Sequence, residues 1–238
     1  MTMPRIVVAE ALDGLSADDP NALRSRRDLR RVHSAMGTRS ILLRALRGTM
    51  PSLQAVPLRV LELGAGDGTL TLGVARVLAS TWPPVELTLL DRQAAVERAT
   101  IDSFTELGWT VAVDVVDVFE WVASGPSKRW DLIIANLFLH HFEGAELATL
   151  INAIAARTDR FLACEPRRAW LALLGSRMVG AIGANAVTRN DAVLSVHAGF
   201  CGHELAALWP KHGVRWRLRD YSAGLFSQCL YATRSEVG

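Results

Sequence analysis

The stretch Val60-Leu61-Glu62-Leu63-Gly64-Ala65-Gly66-Asp67-Gly68-Thr69 is an apolar strand with an acid near its end, glycines at alternate positions after it, and a helix-compatible segment directly behind. No other part of the chain narrows the fold as much. Glycine takes left-handed dihedrals at no steric cost and lets a ligand come close to the main chain. An acid on the last turn of the strand is placed to hold cationic or hydroxyl groups of that ligand. The turn is built for a nucleotide-like compound.

The pattern around the turn repeats. Leu58 to Leu63, Val85 to Leu90, Trp109 to Val115, Asp131 to Ala135 and Arg160 to Cys164 read as short strands. Thr69 to Ser80, Ala94 to Leu107, Phe119 to Ala123 and Gly144 to Arg157 read as the helices between them. Short, nearly all-apolar strands separated by helices predict a parallel sheet covered on both faces, a doubly wound α/β fold. Residues 1 to 20 show no sustained period and form a loosely organised lead. Asn21 to Arg47 is an arginine-rich helical region broken near Gly37, and Gly48 to Pro57 separates it from the first strand. Between 166 and 213 no strand is evident: Ala169 to Val187 is apolar and helix-like but interrupted by Gly175, Gly180 and Gly183, and His203 to Trp209 is a short helix. Val214 to Arg219 and Phe226 to Thr233 close the chain as alternating strands around Ser222-Ala223-Gly224. The expectation is a seven-stranded sheet, mostly parallel, with a reversed C-terminal edge strand. Its parts are a helical cover over 1–57, a ligand-binding core over 58–165, a helical lid over 166–213 and a strand pair over 214–238.

With 238 residues and 50% apolar content, the chain can bury one sizeable core. It has no run of about 18 uncharged apolar residues, and acids and prolines stand where a secretory leader would be basic and then apolar. A soluble, cytoplasmic protein without integral membrane association is expected. Cys164, Cys201 and Cys229 are odd in number and widely spaced, which suits reduced core thiols and neither a disulfide framework nor a metal site. The net charge is +2, and Arg24, Arg26, Arg27, Arg30 and Arg31 alternate with Leu23, Leu29 and Val32 as solvated faces of amphipathic helices. No nucleic-acid partner is expected.

Glycines at 64, 66 and 68 depart from the i, i+2, i+5 spacing of the dinucleotide fingerprint. With Glu62 before them, they make the chain resemble the class I S-adenosylmethionine-dependent methyltransferases of the small-molecule type, near the quinone-biosynthesis group, over roughly residues 58–165. The resemblance implies a Rossmann-like fold with S-adenosylmethionine as cofactor and S-adenosylhomocysteine as product. It implies Glu62 near the amino group, Gly64, Ala65 and Gly66 under the methionine and ribose, and Gly68 packing the helix start. Asp91 ends the second strand 25 residues past Gly66, where adjacency of the first two strands would bring its carboxylate, with Arg92 beside it, to the same crevice; the plainer reading is a helix cap for Arg92 onward. A carboxylate there accepts both hydrogens of a ribose diol, in NAD sites as well, so Asp91 supports a nucleoside without choosing between them. Asp117 and Val118 are implied at the adenine, with Asp114 as the rival acid, and Asn136 and Leu137 beside the sulfonium.

Methyl transfer is an in-line displacement at a carbon activated by a positive sulfur, so a protein supplies alignment and, for an oxygen acceptor, removal of a proton. His141 and His140, just beyond the fourth strand, are the catalytic candidates, against a role in capping or packing the loop. Glu165 is placed to orient a substrate hydroxyl or to serve a turn, and His197 and His203 lie in the insertion. Trp170, Leu171, Leu173, Leu174, Met178, Val179 and Ile182 read as an apolar lid over a lipophilic acceptor such as a phenol, quinone precursor or polyketide, or else as plain core. Asn136 is followed by Leu137 and Phe138 and not by the Pro-Pro-aromatic turn that grips an sp² nitrogen. Cys164 precedes Glu165-Pro166 at the end of an apolar strand, unlike an exposed nucleophile. A small-molecule acceptor is therefore expected, with O-methylation ahead of C-methylation. The competing readings are an NAD(P)-dependent oxidoreductase and a noncatalytic S-adenosylmethionine-binding protein.

Overall fold

Strands β1 (Leu58–Leu63), β2 (Val85–Asp91), β3 (Trp109–Val115), β4 (Leu132–Asn136), β5 (Arg160–Pro166), β6 (Trp216–Ala223) and β7 (Ser227–Arg234) form one sheet in the order β3-β2-β1-β4-β5-β7-β6. The structure is a computed structural model that describes residues 3–16, 18–47, 57–125, 128–211 and 214–235; positions 48–56 of the expected linker lie outside them. β1 pairs in parallel with β2 and β4, β2 with β3, and β4 with β5. The central strands are apolar almost throughout because both of their faces are covered. Leu58 and Val60 pack on one side with Leu72, Leu87 and Phe104, and Leu61 and Leu63 on the other with Ile133, Leu150 and Phe161. Alternation along the pleat sends neighbours to opposite faces, and each fully buried Leu or Phe contributes roughly 1.5–3 kcal/mol.

Helices α2 (Thr38–Leu46), α3 (Thr69–Leu78) and α4 (Arg98–Glu106) cover the first face. On the second lie α5 (Val118–Ala123), α6 (Gly144–Arg157) and α9 (Glu204–Leu208). Helix α1 (Pro20–Met36) starts from Asp19, whose Oδ1 accepts from Asn21 N at 2.7 Å, with Pro20 at the first helical position. It stops at Gly37, which takes φ +67° as a left-handed cap, and α2 follows at once. Between β5 and β6 come α7 (Trp170–Arg177) and α8 (Ala186–Ala198), ahead of α9. Asn185 caps α8 and its N–H donates to Asp28 Oδ2 on α1 at 2.8 Å, which pins the first helix to the insertion.

The reversed strand sits one place in from where the sequence puts it. β7 is antiparallel to β5 and to β6, so β6 becomes the edge and runs with the first five strands. Burial explains the exchange. β7 is buried from Ser227 to Ala232, whereas Arg217 and Arg219 of β6 are exposed. The more apolar partner of the hairpin takes the inner position, and the alternating one faces water.

The expected loose lead is an ordered strap. Met3 is buried and its carbonyl accepts from Arg168 Nε at 2.8 Å, and Ile6 N donates to His197 O at 3.1 Å. Ala11 N and Leu12 N donate to the two oxygens of Asp191 on α8 at 2.9 and 3.0 Å. Cys164 and Cys229 are buried thiols on adjacent strands, while Cys201 is only half-buried, so it is not the core thiol the spacing suggested. Among the described residues no helix is long and apolar enough to cross a membrane.

Asp191→Ala removes both acceptors of the strap. It is expected to cost about 2 kcal/mol and lower the melting midpoint by roughly 4–8 °C in scanning calorimetry, and an unchanged midpoint would show that the strap does not depend on this carboxylate.

Candidate cofactor and acceptor site

β1 has its neighbours β2 and β4 on opposite sides, so the chain reverses its crossover direction there and a crevice opens beyond the strand ends. The glycine turn forms its floor. Leu90 O accepts from Gly64 N at 2.9 Å and Ala65 N at 3.1 Å, and Gly64, Gly66 and Gly68 take φ of +69°, +56° and +72°. They serve different ends. A Cβ at Gly64 would stand 2.3 Å from the Phe138 ring and one at Gly68 3.1 Å from Leu89, whereas one at Gly66 would meet nothing within 4 Å. The outer glycines permit packing and the middle one borders the crevice. Asp67 accepts from Thr69 N at 3.0 Å and Thr69 Oγ1 at 2.6 Å, which starts α3.

Two acids of the crevice have opposite surroundings. Asp91 accepts from Gly66 N at 2.8 Å and Gln93 N at 2.9 Å. Glu62 is buried (3% exposed), and its Oε2 has no hydrogen-bond partner among the described residues. Burial, reinforced by the charges of Asp91 and Asp67 and opposed by the Thr71 hydroxyl, pushes the Glu62 carboxyl up to about 8. Asn136 on β4 is likewise buried with Oδ1 unpartnered, and Leu137 after it has φ +50°, the single positive value among described residues other than glycine. Leu63 pairs with Leu90 and with Ala135, so Glu62, Asp91 and Asn136 stand at the ends of three neighbouring strands.

The remaining expected residues divide. Asp117 is exposed and caps α5 through Phe119 N at 2.7 Å, while Val118 packs in the core beside Leu63 and Leu90. Asp114 lies within β3 opposite Leu90, also exposed. Arg92 pairs with Asp13 at 3.0 Å and so ties the N-terminal strap to the end of β2.

The loop after β4 is organised by a residue from β5. Glu165 is fully buried and accepts from Leu139 N at 3.0 Å, Phe138 N at 3.2 Å and His140 N at 3.3 Å, and from His140 Nδ1 at 2.9 Å. His140 Nε2 reaches Glu10 Oε1 at 3.3 Å. Burial alone would lower the pKa of this ring, but the bonds and charges of Glu10 and Glu165 outweigh it and raise the value to about 9. His140 is thus an imidazolium with both nitrogens engaged, and no nitrogen is left for an acceptor. His141 stacks on it with centroids 4.2 Å apart, and its Nδ1 lies 3.3 Å from Asp13. Glu10 and Asp13 escaped the sequence reading because the strap has no periodicity, and no motif pairs an acid of an irregular segment with a histidine 130 positions away.

Next to the crevice lies a cavity of about 320 Å³, lined by α1, α7, α8 and the strap and meeting the crevice residues at Leu137. Met178, Val179 and Ile182 of the expected lid line it, Leu173 is buried beside it, and Trp170, Leu171 and Leu174 point to solvent. Glu10 also lines it, whereas His140, His141, His197 and His203 do not.

No family model matches the chain. Over 113 residues it is 33% identical to the non-reducing polyketide synthase pks11 of Talaromyces marneffei, which covers 48% of this chain and 4% of that one. Over 110 residues it is 30% identical to a malonyl-acyl-carrier-protein O-methyltransferase of Paenibacillus, covering 46% and 37%. The chain therefore spans well under two thirds of these curated relatives. Among solved structures, the plantazolicin methyltransferase BpumL with S-adenosylhomocysteine superposes with a TM-score of 0.60 at 12% identity over 92% of each chain. An O-methyltransferase family protein from Burkholderia thailandensis gives 0.62 at 16% identity over 95% of this chain and 63% of that one. The magnesium protoporphyrin IX methyltransferase of Synechocystis with S-adenosylmethionine gives 0.53 at 16% identity over 89% and 84%.

The Glu165–His140–Glu10 chain predicts a pH signature. The His140 pKa is raised on folding, so the stability that its charge contributes is complete below about 6.5 and lost as pH rises through about 9. Glu165→Ala should cost about 3–5 kcal/mol in urea unfolding at pH 6.5, with a gap from wild type that narrows toward pH 10; a gap constant with pH would contradict the charged pair.

Strand order, the glycine turn and these superpositions agree: the chain has the fold of the class I S-adenosylmethionine-dependent methyltransferases.

Proposed function

We propose that this protein transfers a methyl group from S-adenosylmethionine to a small lipophilic acceptor, an aromatic or polyketide-like compound methylated on oxygen in preference to carbon. The observation that carries the reading is the buried, unpartnered carboxyl oxygen of Glu62 beside a left-handed glycine that opens on the crevice. An isolated acid of that kind suits an ammonium group, and the open side of Gly66 suits the close approach of a cofactor backbone. When bound, S-adenosylmethionine supplies a methyl group on a positively charged sulfur.

Each residue of the crevice has a task in this reading. Glu62 takes the amino group, Gly64 to Gly66 carry the methionine and ribose, and Asp91 exchanges a backbone bond for the ribose diol. Asp117 and the Val118 amide, one strand further out, face the adenine. Asn136 and Leu137 border the methyl end, and the apolar cavity beyond Leu137 holds the acceptor and excludes water from it. His140 acts through its neighbours as a positioning residue, and His141 supports it by stacking. The sequence likeness to the Paenibacillus enzyme and the fold likeness to the Burkholderia protein, both named as O-methyltransferases, support an oxygen acceptor. A cytoplasmic location is part of the same reading.

Calorimetry with S-adenosylhomocysteine and with NAD tests the reading. Glu62 sits near 8 and is protonated at pH 7, and an arriving ammonium favours its ionised form. Binding of S-adenosylhomocysteine at pH 7 should therefore release about one proton, seen as a heat that changes with the ionisation enthalpy of the buffer. Glu62→Gln should abolish that dependence and weaken binding at least about tenfold. Gly66→Asp should fold, since its side chain meets open space and aspartate tolerates left-handed dihedrals, yet show no binding. Heat with NAD and none with S-adenosylhomocysteine would replace this reading with the oxidoreductase.

A further inference from the structure

We propose that Glu10 is the residue that faces the acceptor: the cavity admits an uncharged, mainly apolar molecule whose hydroxyl donates to Glu10 and surrenders its proton there, and it rejects carboxylate acceptors. This inference rests on the methyl-transfer reading and names the acceptor class for the same site.

The charge of the cavity wall carries the argument. Among the described residues its only charged ones are Glu10 and Asp191, and no Lys, Arg or His lines it. Asp191 is committed, with one oxygen on Ala11 N and the other on Leu12 N. Glu10 is not. Its bonds from Ser195 Oγ and His140 Nε2 both fall on Oε1, which fixes the carboxylate and leaves Oε2 unengaged among the described residues. The rest of the wall is largely apolar, with Leu29, Met36, Val196 and Phe226. A carboxylate entering this space would lose its water beside two acids, with no cationic side chain in the wall to meet it, whereas a hydroxyl would gain a charged acceptor. A second sign is independent of Glu10. Thr188 lines the same cavity at 3% exposure, and its Oγ1 has no partner among the described residues, as fits a second polar atom on a bound molecule.

The chemistry balances without another reactant. A lone pair of the acceptor oxygen forms the bond to the methyl carbon, the pair of the breaking carbon–sulfur bond goes to sulfur, and the hydroxyl proton goes to Glu10 and then to solvent. Burial works to raise the Glu10 carboxyl, but the His140 bond and charge hold it below its ordinary value, so it is anionic and ready to accept. A protonated ether is a far stronger acid than any carboxylic acid, so even a depressed carboxylate receives this proton. His140, and through it Glu165, positions Glu10 and keeps it charged.

The test compares 1-naphthol with 1-naphthoic acid, equal in ring system but uncharged and anionic respectively near neutral pH. Saturated with S-adenosylhomocysteine, the wild-type protein should bind naphthoate weaker than naphthol by a factor on the order of 100 or more, and with S-adenosylmethionine it should yield the methyl ether and no methyl ester by mass spectrometry. In Glu10→Gln, kcat for naphthol should fall about 100-fold or more while KM for S-adenosylmethionine stays within about twofold, and the discrimination against naphthoate should shrink. Wild-type selectivity needs no variant, so it decides the matter even if Glu10→Gln folds poorly. Equal or better binding of naphthoate, binding of neither compound by protein loaded with S-adenosylhomocysteine, or an unchanged kcat in Glu10→Gln would overturn the proposal. Donor atoms of Glu10, His140 and His141 lie within 4.8 Å of one another. Turnover abolished by EDTA and restored by a divalent cation would make Glu10 a metal ligand and would also overturn it. Failure to bind S-adenosylhomocysteine at all would instead bring down the methyl-transfer reading, and this inference with it.

Discussion

Glu165 lies wholly inside the protein, and a carboxylate so placed is tolerable only where donors surround it. Three consecutive main-chain amides of the loop after β4 and one ring nitrogen of His140 supply them. Meeting that demand gives the loop its shape, turns His140 so that its other nitrogen meets Glu10, and thereby draws the N-terminal strap across the molecule. Two acids thus flank one imidazolium, and one of them, Glu10, stands where the strap borders the cavity. The left-handed backbone of Leu137, between β4 and this loop, belongs to the same arrangement, since Leu137 N donates to Cys164 O just before Glu165 in β5. A strained residue held between two satisfied elements at a candidate site is where strain is expected to persist.

The crevice uses a different solution to the same problem. Asp91 is satisfied by backbone N–H groups, so it stands in place before any ligand arrives. Glu62 is denied such donors and is pushed up to about 8. Two acids on adjacent strands are thus kept in unlike environments, one supported by the protein and one with an oxygen left over. A buried acid perturbed in this way within a crevice is a mark of a functional site.

The solved neighbours share the fold at 12–16% identity, and their names carry unlike acceptors, plantazolicin and magnesium protoporphyrin IX among them. Such divergence fits a core that keeps one cofactor crevice while the segments over it vary. In this chain those segments are the strap, α1 and the α7–α8 insertion, which together line the cavity. Chemistry specific to this protein is therefore to be sought in residues such as Glu10, Asp13, Thr188 and Ser195.

What the sequence determined by itself is local and periodic. Strands β1 and β3 and helix α6 have the predicted limits, the cover helix breaks at Gly37, and the crevice acids stand at strand ends, because apolar runs, glycine turns and caps act over a few residues and are legible there. Burial decided the rest. The position of β7 inside β6 depended on which hairpin strand is more apolar across its whole length, and the engagement of His140 depended on acids 130 positions before it and 25 after. Glu10 sits in a segment without period or motif and acquires its role only because the strap is tied to α8, to β5 through His140, and to the end of β2. Long-range charge compensation leaves no pattern along the chain, so only the tertiary structure, which sets the distances between those charges, decided which acids border the cavity.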